Sequence, residues 1–142
     1  MSIPGMSPTG YDTVGDIVAT HMLRYHTHAD ASSVVLDILS NHIPVAPVVN
    51  DEGHLAGIIG EVEILDALRE GKDIGQLKAE DLMKEDLNCT VTEKTPISEV
   101  VTRFQIEELQ IIPVVRDGQV IESVTRHDLI RAMTGAGLGF EK

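Results

Sequence analysis

The sequence predicts an α/β fold built from two copies of a β-α-β-β-α unit. An apolar-Pro-Val-Val segment occurs twice, a helical pattern precedes each occurrence, and a turn signal with a second apolar run follows each. An internal period of this kind decides the whole architecture. Neither copy alone can bury its sheet face well, so we expect the two to pack on each other.

The repeat is clearest around its two proline-containing strands. Pro47-Val48-Val49 matches Pro113-Val114-Val115, a spacing of 66 residues between the two prolines. The first copy then has one additional turn residue, so Gly53 pairs with Gly118 at a spacing of 65. The copies therefore follow each other without rearrangement of their elements.

The sequence pattern of each copy predicts the same secondary-structure elements in the same order. A short strand near Tyr25 or Val91 opens the copy. Apolar side chains at spacings of three and four then predict helices at 31–42 and 97–108. The later elements are strands at 46–49 and 112–115, turns at 50–53 and 116–118, strands at 54–59 and 119–124, and helices at 61–69 and 126–133.

These elements divide the chain into five segments. The first repeat is expected at 14–70 and the second at 79–134, joined by a linker at 71–78. Residues 1–13 and 135–142 are rich in glycine and other turn formers, so both ends are predicted to be flexible.

The overall charge excludes several classes of partner. A formal net charge of −12 repels nucleic acid and anionic membranes, so any phosphate ligand must be held by a local group of donors.

Cys89 is the single cysteine and has no disulfide partner within the chain, and no apolar run is long enough to span a membrane. We expect a cytoplasmic protein with an aliphatic core.

Three stretches resemble the CBS (cystathionine-β-synthase) domain, of which a tandem pair is called a Bateman module. The first is Val14-Gly-Asp-Ile17 with its partner Ala79-Glu-Asp-Leu-Met83, the second is the proline strand, and the third is Glu122-Ser-Val-Thr125-Arg-His-Asp128-Leu. The resemblance covers residues 14–134 and implies α/β sandwich-like repeats, related by a pseudo-twofold axis, with clefts between them. It also implies pairing of two modules, and we expect a homodimer because aliphatic helix faces leave apolar surface to bury.

The resemblance places a ribose-binding pair in the second copy. In the family, the residues that match Thr125 and Asp128 hydrogen-bond the ribose hydroxyls of an adenosine ligand. The same Thr-x-x-Asp spacing is also that of a helix N-cap followed by an acid that favours the helix dipole. The two roles are compatible.

Further residues of the second copy complete the expected site. Thr90 lies where the family often has a small polar residue near the base or ribose. Ile111 and Ile112, before Pro113, offer main-chain groups and an apolar wall for adenine. The same residues are equally typical of an ordinary core strand. Arg126 and His127 flank the cap and either reach a phosphate or remain solvated surface residues. The candidate nucleotide-binding residues are Thr90, Ile111, Ile112, Pro113, Thr125, Arg126, His127 and Asp128, with Arg24 from the first copy.

The first copy departs from the ribose-binding pattern. Gly60 replaces the hydroxyl residue, Glu63 replaces the aspartate, and Arg24 stands where the second copy has Thr90. We therefore expect one nucleotide per chain, bound by the second copy, with Arg24 lending charge to a phosphate.

Metal binding and catalysis are not expected. His21, His26 and His28 lie within eight residues beside Asp30, but no cysteine joins them, which favours surface or loop histidines over a metal site. Cys89 lacks a nearby His or acid partner, which favours an inert thiol. No glycine-rich phosphate loop, Ser-His-Asp order or catalytic carboxylate pair occurs, so no enzyme is predicted.

Two hypotheses of function follow. In the first, AMP, ADP or ATP, or alternatively S-adenosylmethionine, binds one cleft, changes the packing of the copies and regulates an unknown partner protein. In the second, the chain is a structural dimerisation module whose clefts hold no ligand.

Overall fold

The computed structural model describes residues 13–17, 23–87, 90–107, 109 and 111–138, with side chains described as far as residue 134. Two short 3₁₀ turns occupy Val14–Asp16 and Ile74–Gln76. The longer elements are β1 Tyr25–His26, α1 Ala31–Asn41, β2 Val45–Val49, β3 Leu55–Gly60, α2 Glu61–Arg69, α3 Ala79–Leu82, β4 Val91–Thr92, α4 Ile97–Ile106, β5 Ile111–Arg116, β6 Gln119–Thr125 and α5 Arg126–Leu138. This order confirms the two predicted β-α-β-β-α repeats.

Each repeat contributes one three-stranded sheet. The first has the order β1-β2-β3, in which β1 is parallel to β2 and β3 is antiparallel to it. The second has the order β4-β5-β6, with β4 parallel to β5. The proline-containing strand is therefore central in both sheets, which explains why it is the most apolar segment of each copy.

Two equivalent cores support the sheets. The predicted helical faces are confirmed, because the apolar residues that recur every three or four positions are the buried ones. One core contains Ala31, Val34 and Ile38 of α1, Ala46, Val48 and Ile59 of the sheet, and Ile64 and Ala67 of α2. The other contains Ile97, Val100 and Phe104 of α4, Ile112, Val114 and Val124 of the sheet, and Leu129 and Ala132 of α5.

The compact units of the structure differ from the sequence repeats. The first-repeat unit comprises Leu23–Cys89 with Asp117–Val120, and the second-repeat unit comprises Met1–Met22, Thr90–Arg116 and Ile121–Lys142. The segment that opens each repeat thus belongs to the unit of the other repeat.

Backbone hydrogen bonds hold these opening segments in place. In the second-repeat unit, the Val14 N–H donates to the Thr95 carbonyl over 2.9 Å. In the first-repeat unit, the Ala79 N–H donates to the Ala29 carbonyl over 2.7 Å. The two opening segments therefore dock by the same kind of contact, a main-chain bond to the loop after the first strand.

The turns of the two hairpins use glycine for the same reason. Gly53 and Gly118 have φ values of 83° and 82°, a left-handed conformation that costs a residue with a Cβ free energy. The turn signals predicted at these positions are therefore confirmed.

The ends of the repeats add two details. Helix α5 continues to Leu138, into the segment for which the sequence predicts a flexible tail. The linker contains the 3₁₀ turn, started by Asp73, whose Oδ1 accepts from the Gly75 N–H over 3.0 Å. None of the described helices is long and apolar enough to cross a membrane.

Candidate functional site

The junction between β6 and α5 carries a reciprocal pair of hydrogen bonds. The Thr125 N–H donates to Asp128 Oδ2, and the Asp128 N–H donates to Thr125 Oγ1, both over 3.1 Å. This is a capping box, in which the N-cap side chain and the third helical residue satisfy each other's backbone groups. Thr125 is 6% exposed and Asp128 is 0% exposed. The capping role of the pair, one of the two that the sequence predicts, is therefore present.

The second carboxylate oxygen of Asp128 faces a cation. Arg131 Nη2 lies 3.4 Å from Asp128 Oδ1, and the Arg131 side chain is 34% exposed. A fully buried carboxylate is stable only when donors and countercharge replace water. At Asp128, the cap supplies the donor and Arg131 supplies the countercharge.

The matching junction in the first repeat keeps half of this arrangement. The Gly60 N–H donates to Glu63 Oε1 over 2.7 Å, so the acid still caps the backbone. Gly60 has no side chain to return the bond. The replacement of Thr and Asp by Gly and Glu at these positions therefore preserves the helix start but removes the hydroxyl.

A cavity of about 250 Å³ adjoins this first junction, and four of its lining residues are acidic. Its lining consists of Glu63, Asp66, Ala67, Glu70, Lys72, Asp81, Leu82, Met83 and Lys84. Carboxylates outnumber lysines by four to two, so the cavity repels a phosphate group. The expectation that the first copy lacks a nucleotide site stays a prediction.

Charge is distributed unevenly between the two units. The first-repeat unit has fourteen acidic and five basic side chains, a formal charge of −9. The second-repeat unit has nine acidic and six basic side chains, a formal charge of −3. Three quarters of the total charge of −12 therefore belongs to the first-repeat unit.

The other predicted site residues of the second copy lie in the same unit. Ile111, Ile112 and Pro113 are buried in β5, and Arg126 and His127 are exposed in the first turn of α5. Thr90 is half-buried, and its carbonyl accepts from Arg103 Nη1 over 2.8 Å. Arg24 is exposed and belongs to the first-repeat unit. The structure thus brings eight of the nine candidates into one unit and leaves Arg24 in the other.

Glu122 is a half-buried carboxylate that sequence reasoning did not single out. Its pKa is raised, first by burial and then by the Glu93 carboxylate, while Arg116 opposes the shift and Asp128 adds to it. Arg116 is held against Glu93 by two hydrogen bonds of 2.8 and 2.7 Å. The available signal was a difference between the copies, because the first copy has Gly57 where the second has Glu122.

The matched position in the first repeat shows what that glycine does. A Cβ on Gly57 would lie 2.6 Å from the Lys84 carbonyl oxygen, because Ile58 and Lys84 exchange two backbone hydrogen bonds of 2.9 and 2.8 Å. Glycine is thus required in β3 by the close approach of another strand of backbone. Glu122 shows that β6 has room for a side chain.

Ser123 is a second residue that the sequence analysis missed. It is fully buried, and within the described part of the chain its hydroxyl has no hydrogen-bond partner. Alternation along the strand places Ser123 on the same side of β6 as Thr125. In the sequence, Ser123 stands out only as one polar residue within an apolar strand, and this is a weak indication of a functional role.

The histidine cluster does not form a metal site among the residues that the structure describes, where no group of three His, Cys, Asp or Glu side chains is arranged to hold an ion. His28 Nδ1 lies 3.8 Å from Glu80 Oε1, an exposed contact. His21 and Cys89 lie outside the described residues, so the predictions about them stay predictions.

The family model of the CBS domain matches the chain twice, at residues 14–70 and 79–135. The chain belongs to the CBS domain family. CBS-domain pairs are generally regulatory rather than catalytic modules.

Curated relatives of this CBS pair are longer proteins. The A-adding tRNA nucleotidyltransferase of Aquifex aeolicus is 30% identical over 123 residues, which is 84% of this chain and 14% of the enzyme. The uncharacterized protein MJ1225 of Methanocaldococcus jannaschii is 22% identical over 86% of this chain and 43% of its own length. The chain therefore spans less than half of either relative, and the similarity to the enzyme is confined to 123 residues.

Two solved structures of similar CBS pairs contain adenosine compounds. The CBS domain pair of protein MJ0100, in complex with 5′-methylthioadenosine and S-adenosyl-L-methionine, is 25% identical, with a TM-score of 0.71 over 93% of this chain and 99% of that one. CBSX2 in complex with AMP is 21% identical, with the same TM-score over 94% of this chain and 100% of that one.

Proposed function

We propose that this CBS pair is a regulatory module that binds one adenosine ligand per chain, AMP, ADP or ATP, or alternatively S-adenosylmethionine. The ligand binds at the β6–α5 junction and alters the contact of the module with a partner protein. The observation that carries the proposal is the Thr125–Asp128 pair, buried and already positioned by its own hydrogen bonds. The AMP and S-adenosylmethionine complexes of similar CBS pairs support the choice of ligand class.

Ligand binding requires an exchange at Asp128 Oδ1. Oδ2 is engaged by the cap, whereas Oδ1 faces Arg131 across a long contact of 3.4 Å. A ribose hydroxyl that donates to Oδ1 replaces this contact, and the partly exposed Arg131 swings towards solvent or towards the ligand's phosphate. The carboxylate keeps a donor throughout, so the exchange avoids the cost of an unpaired buried charge.

Two further groups fit the same ligand. Ser123 lies two residues before Thr125. Its buried hydroxyl makes no hydrogen bond to any described residue, so it can bond to a ligand. Arg126, exposed at the start of α5, adds a positive charge beside the first helical turn, a place where phosphates bind readily. These groups lie in the unit with the smaller formal charge, −3 against −9.

The test is calorimetric titration of the parent chain and two variants with AMP, ATP and S-adenosylmethionine. Asp128→Ala is expected to weaken binding by about 1.5–3 kcal/mol, the range for a hydrogen bond to a charged group. Glu63→Ala is the matched control, because it removes the same kind of cap from the first junction. The parent is expected to bind one ligand per chain, and Glu63→Ala is expected to bind as the parent does.

Two results contradict the proposal. Two equivalent sites per chain would show that Gly60 does not disable the first copy. Unchanged affinity in Asp128→Ala would show that the pair serves only as a cap.

A structural module without ligand is the second candidate, and the complete burial of Asp128 favours it. A ligand at a hundred times its dissociation constant raises stability by about 2.7 kcal/mol. Thermal unfolding that is unchanged by every adenosine compound at millimolar concentration would therefore select this candidate.

We also propose a homodimer and a separate partner protein that the module regulates. Exposed aliphatic side chains on the helices support self-association. A particle of 15.4 kDa in sedimentation at micromolar concentration would exclude the dimer.

A further inference from the structure

Arg131 lies one helical turn after Asp128 in α5, and its guanidinium is held at the β6–α5 junction. Arg131 Nη2 is 3.4 Å from Asp128 Oδ1, an ion pair between residues three apart on one helix. Side chains on an α-helix point back towards its N-terminus, which directs Arg131 to the junction. A cation is therefore in place at the carboxylate oxygen to which the proposed ligand bonds.

The contact between Arg131 and Asp128 is of a kind that a ligand can replace. A charge-assisted N–H···O bond is normally about 2.7–2.9 Å long, so a bond of 3.4 Å is weak. The Arg131 side chain is 34% exposed, whereas that of Asp128 is 0% exposed. Arg131 can therefore move away from Asp128 without becoming an unpaired buried cation, because its side chain reaches solvent.

The first repeat has the opposite charge at the matched position. By the spacing of 65 residues, Arg131 matches Asp66, just as Asp128 matches Glu63. Asp66 and Glu63 both line the cavity beside the first junction. The fold of the repeat accepts an acid at this position, so the helix itself does not require an arginine. An arginine in the copy that has the Thr-x-x-Asp pair therefore needs another explanation.

The chemistry of adenosine ligands supplies one. A guanidinium has parallel N–H donors that match two oxygens of a phosphate. The ribose hydroxyls and the 5′-phosphate of a nucleotide belong to one sugar, so a guanidinium displaced from Oδ1 by a hydroxyl reaches the phosphate by rotation of its outer side-chain bonds. S-adenosylmethionine has a sulfonium cation on the same 5′-carbon and no phosphate. A displaced Arg131 therefore meets a like charge there.

We propose that Arg131 is a specificity-determining residue of the second-repeat site, which selects adenosine nucleotides with a 5′-phosphate over S-adenosylmethionine and adenosine. The inference rests on the proposed function and decides between the ligand classes named there. Without ligand, Arg131 pairs with Asp128. With a nucleotide, a ribose hydroxyl bonds to Oδ1 and Arg131 pairs with the phosphate, so the arginine has an anionic partner in both states.

The experiment is calorimetric titration of the full chain and its variants with adenosine, AMP and S-adenosylmethionine. The quantity compared is the ratio of the dissociation constants of two ligands for one variant. Both ligands bind the same folded population, so a change in folding stability cancels in this ratio. The parent is expected to bind AMP about tenfold or more tightly than adenosine or S-adenosylmethionine, as one hydrogen bond to a charged group provides.

Arg131→Gln is the first test variant, because glutamine keeps a polar side chain and removes the charge. Its affinities for AMP and adenosine are expected to lie within about threefold of each other. Adenosine itself is expected to bind as it does to the parent, or more tightly, because Arg131 no longer competes for Asp128 Oδ1.

Arg131→Lys is the second test variant. Lysine keeps the countercharge of Asp128, so this chain is expected to fold even if Arg131→Gln does not, which circular dichroism verifies. Lysine lacks the planar fork of arginine, so the preference for AMP over adenosine is expected to lie between those of the parent and Arg131→Gln.

Three controls locate the effect. Asp66→Asn, at the matched position of the first repeat, is expected to leave the ratios unchanged. Asp128→Ala is expected to weaken adenosine and AMP alike, because it removes the ribose bond that they share. Arg126→Gln is expected to lower the preference for AMP less than Arg131→Gln does, because Arg126 is exposed and ordering its side chain on a phosphate costs conformational entropy.

The outcomes separate this inference from the proposed function. A parent chain that binds none of the three compounds refutes the proposed function, and the inference with it. Binding that Asp128→Ala weakens, with a preference for AMP that both Arg131 variants leave unchanged, keeps the proposed function and refutes the inference. A parent that binds S-adenosylmethionine more tightly than AMP, or a preference for AMP that only Arg126→Gln abolishes, refutes it in the same way.

Discussion

The two strand-to-helix junctions of this CBS pair share a backbone plan and differ in chemistry. At both, an acidic residue in the first helical turn caps the backbone N–H at the end of the strand. Only the second junction has a hydroxyl that returns the bond, and only there does an arginine face the acid. The first junction instead adjoins a cavity with four carboxylates. A repeated fold therefore preserves helix starts, while the side chains at matched positions change the hydrogen bonds and the charge around them.

The largest expected effect tests why glycine occurs in β3 and glutamate in β6. Gly57→Ala is expected to destabilise the fold by about 1–3 kcal/mol, because the new methyl group would overlap the Lys84 carbonyl and displace backbone. Glu122→Ala, at the matched position, is expected to cost less than about 1 kcal/mol, as at most half-buried sites. Urea unfolding measures both free energies. Equal costs would mean that β6 is as closely approached as β3.

The capping box provides the next prediction. Thr125→Ala is expected to cost about 1 kcal/mol of stability, since it leaves the buried Asp128 N–H without its acceptor. Thr125→Ser keeps the acceptor and is expected to restore most of the loss. The first junction has no such hydroxyl, so Gly60→Ser tests whether one can be added, although its Cβ would lie 3.1 Å from Glu63 Oε1. A loss in Thr125→Ala that serine fails to restore would assign the effect to the threonine methyl group.

Ser123 separates a ligand contact from an inert buried polar group. Ser123→Ala is expected to raise the free energy of unfolding by up to about 1 kcal/mol, because it removes a desolvated hydroxyl that no described residue satisfies. If Ser123 also contacts the ligand, the same variant loses affinity while it gains stability. Ser98→Ala, on the exposed face of α4, is the control and is expected to change neither. A marked loss of stability in Ser123→Ala would show that the hydroxyl has a partner after all.

The smallest expected effect is the pH dependence contributed by Glu122. Burial and the nearby Glu93 and Asp128 carboxylates raise its pKa above the ordinary 4.5, against the opposing charge of Arg116. The folded state therefore holds this proton more tightly than the unfolded chain does. Stability from this group is full below pH 4.5 and is lost as the pH rises through the raised pKa. Glu122→Gln is expected to remove this pH-dependent loss of stability. The loss amounts to less than about 1 kcal/mol, because Glu122 is only half-buried.

The Glu122 prediction is checked by the difference in unfolding free energy between parent and Glu122→Gln from pH 4 to pH 7. The difference is expected to grow in favour of the glutamine variant as the pH rises. A difference that is constant with pH would show that Glu122 titrates normally in the folded chain.

The sequence by itself determined the repeat, the order of the elements and the helix starts, because these depend on local signals. Apolar spacing marks α1 and α4, glycines mark the two hairpin turns, and a Thr-x-x-Asp spacing marks the start of α5. The loss of the hydroxyl at Gly60 was equally visible, since matched positions can be compared without coordinates.

Only the tertiary structure decided which unit each segment joins and what surrounds each acidic residue. The segments that open the repeats bond to loops about fifty or more residues away, Val14 to Thr95 and Ala79 to Ala29. The same long-range packing buries Asp128 completely and leaves the Ser123 hydroxyl without a hydrogen-bond partner among the described residues. It also buries Glu122 in part and brings Glu93 near, and both effects raise the pKa of Glu122. Such effects depend on distance and desolvation between residues remote in the chain, which local patterns in a sequence do not encode.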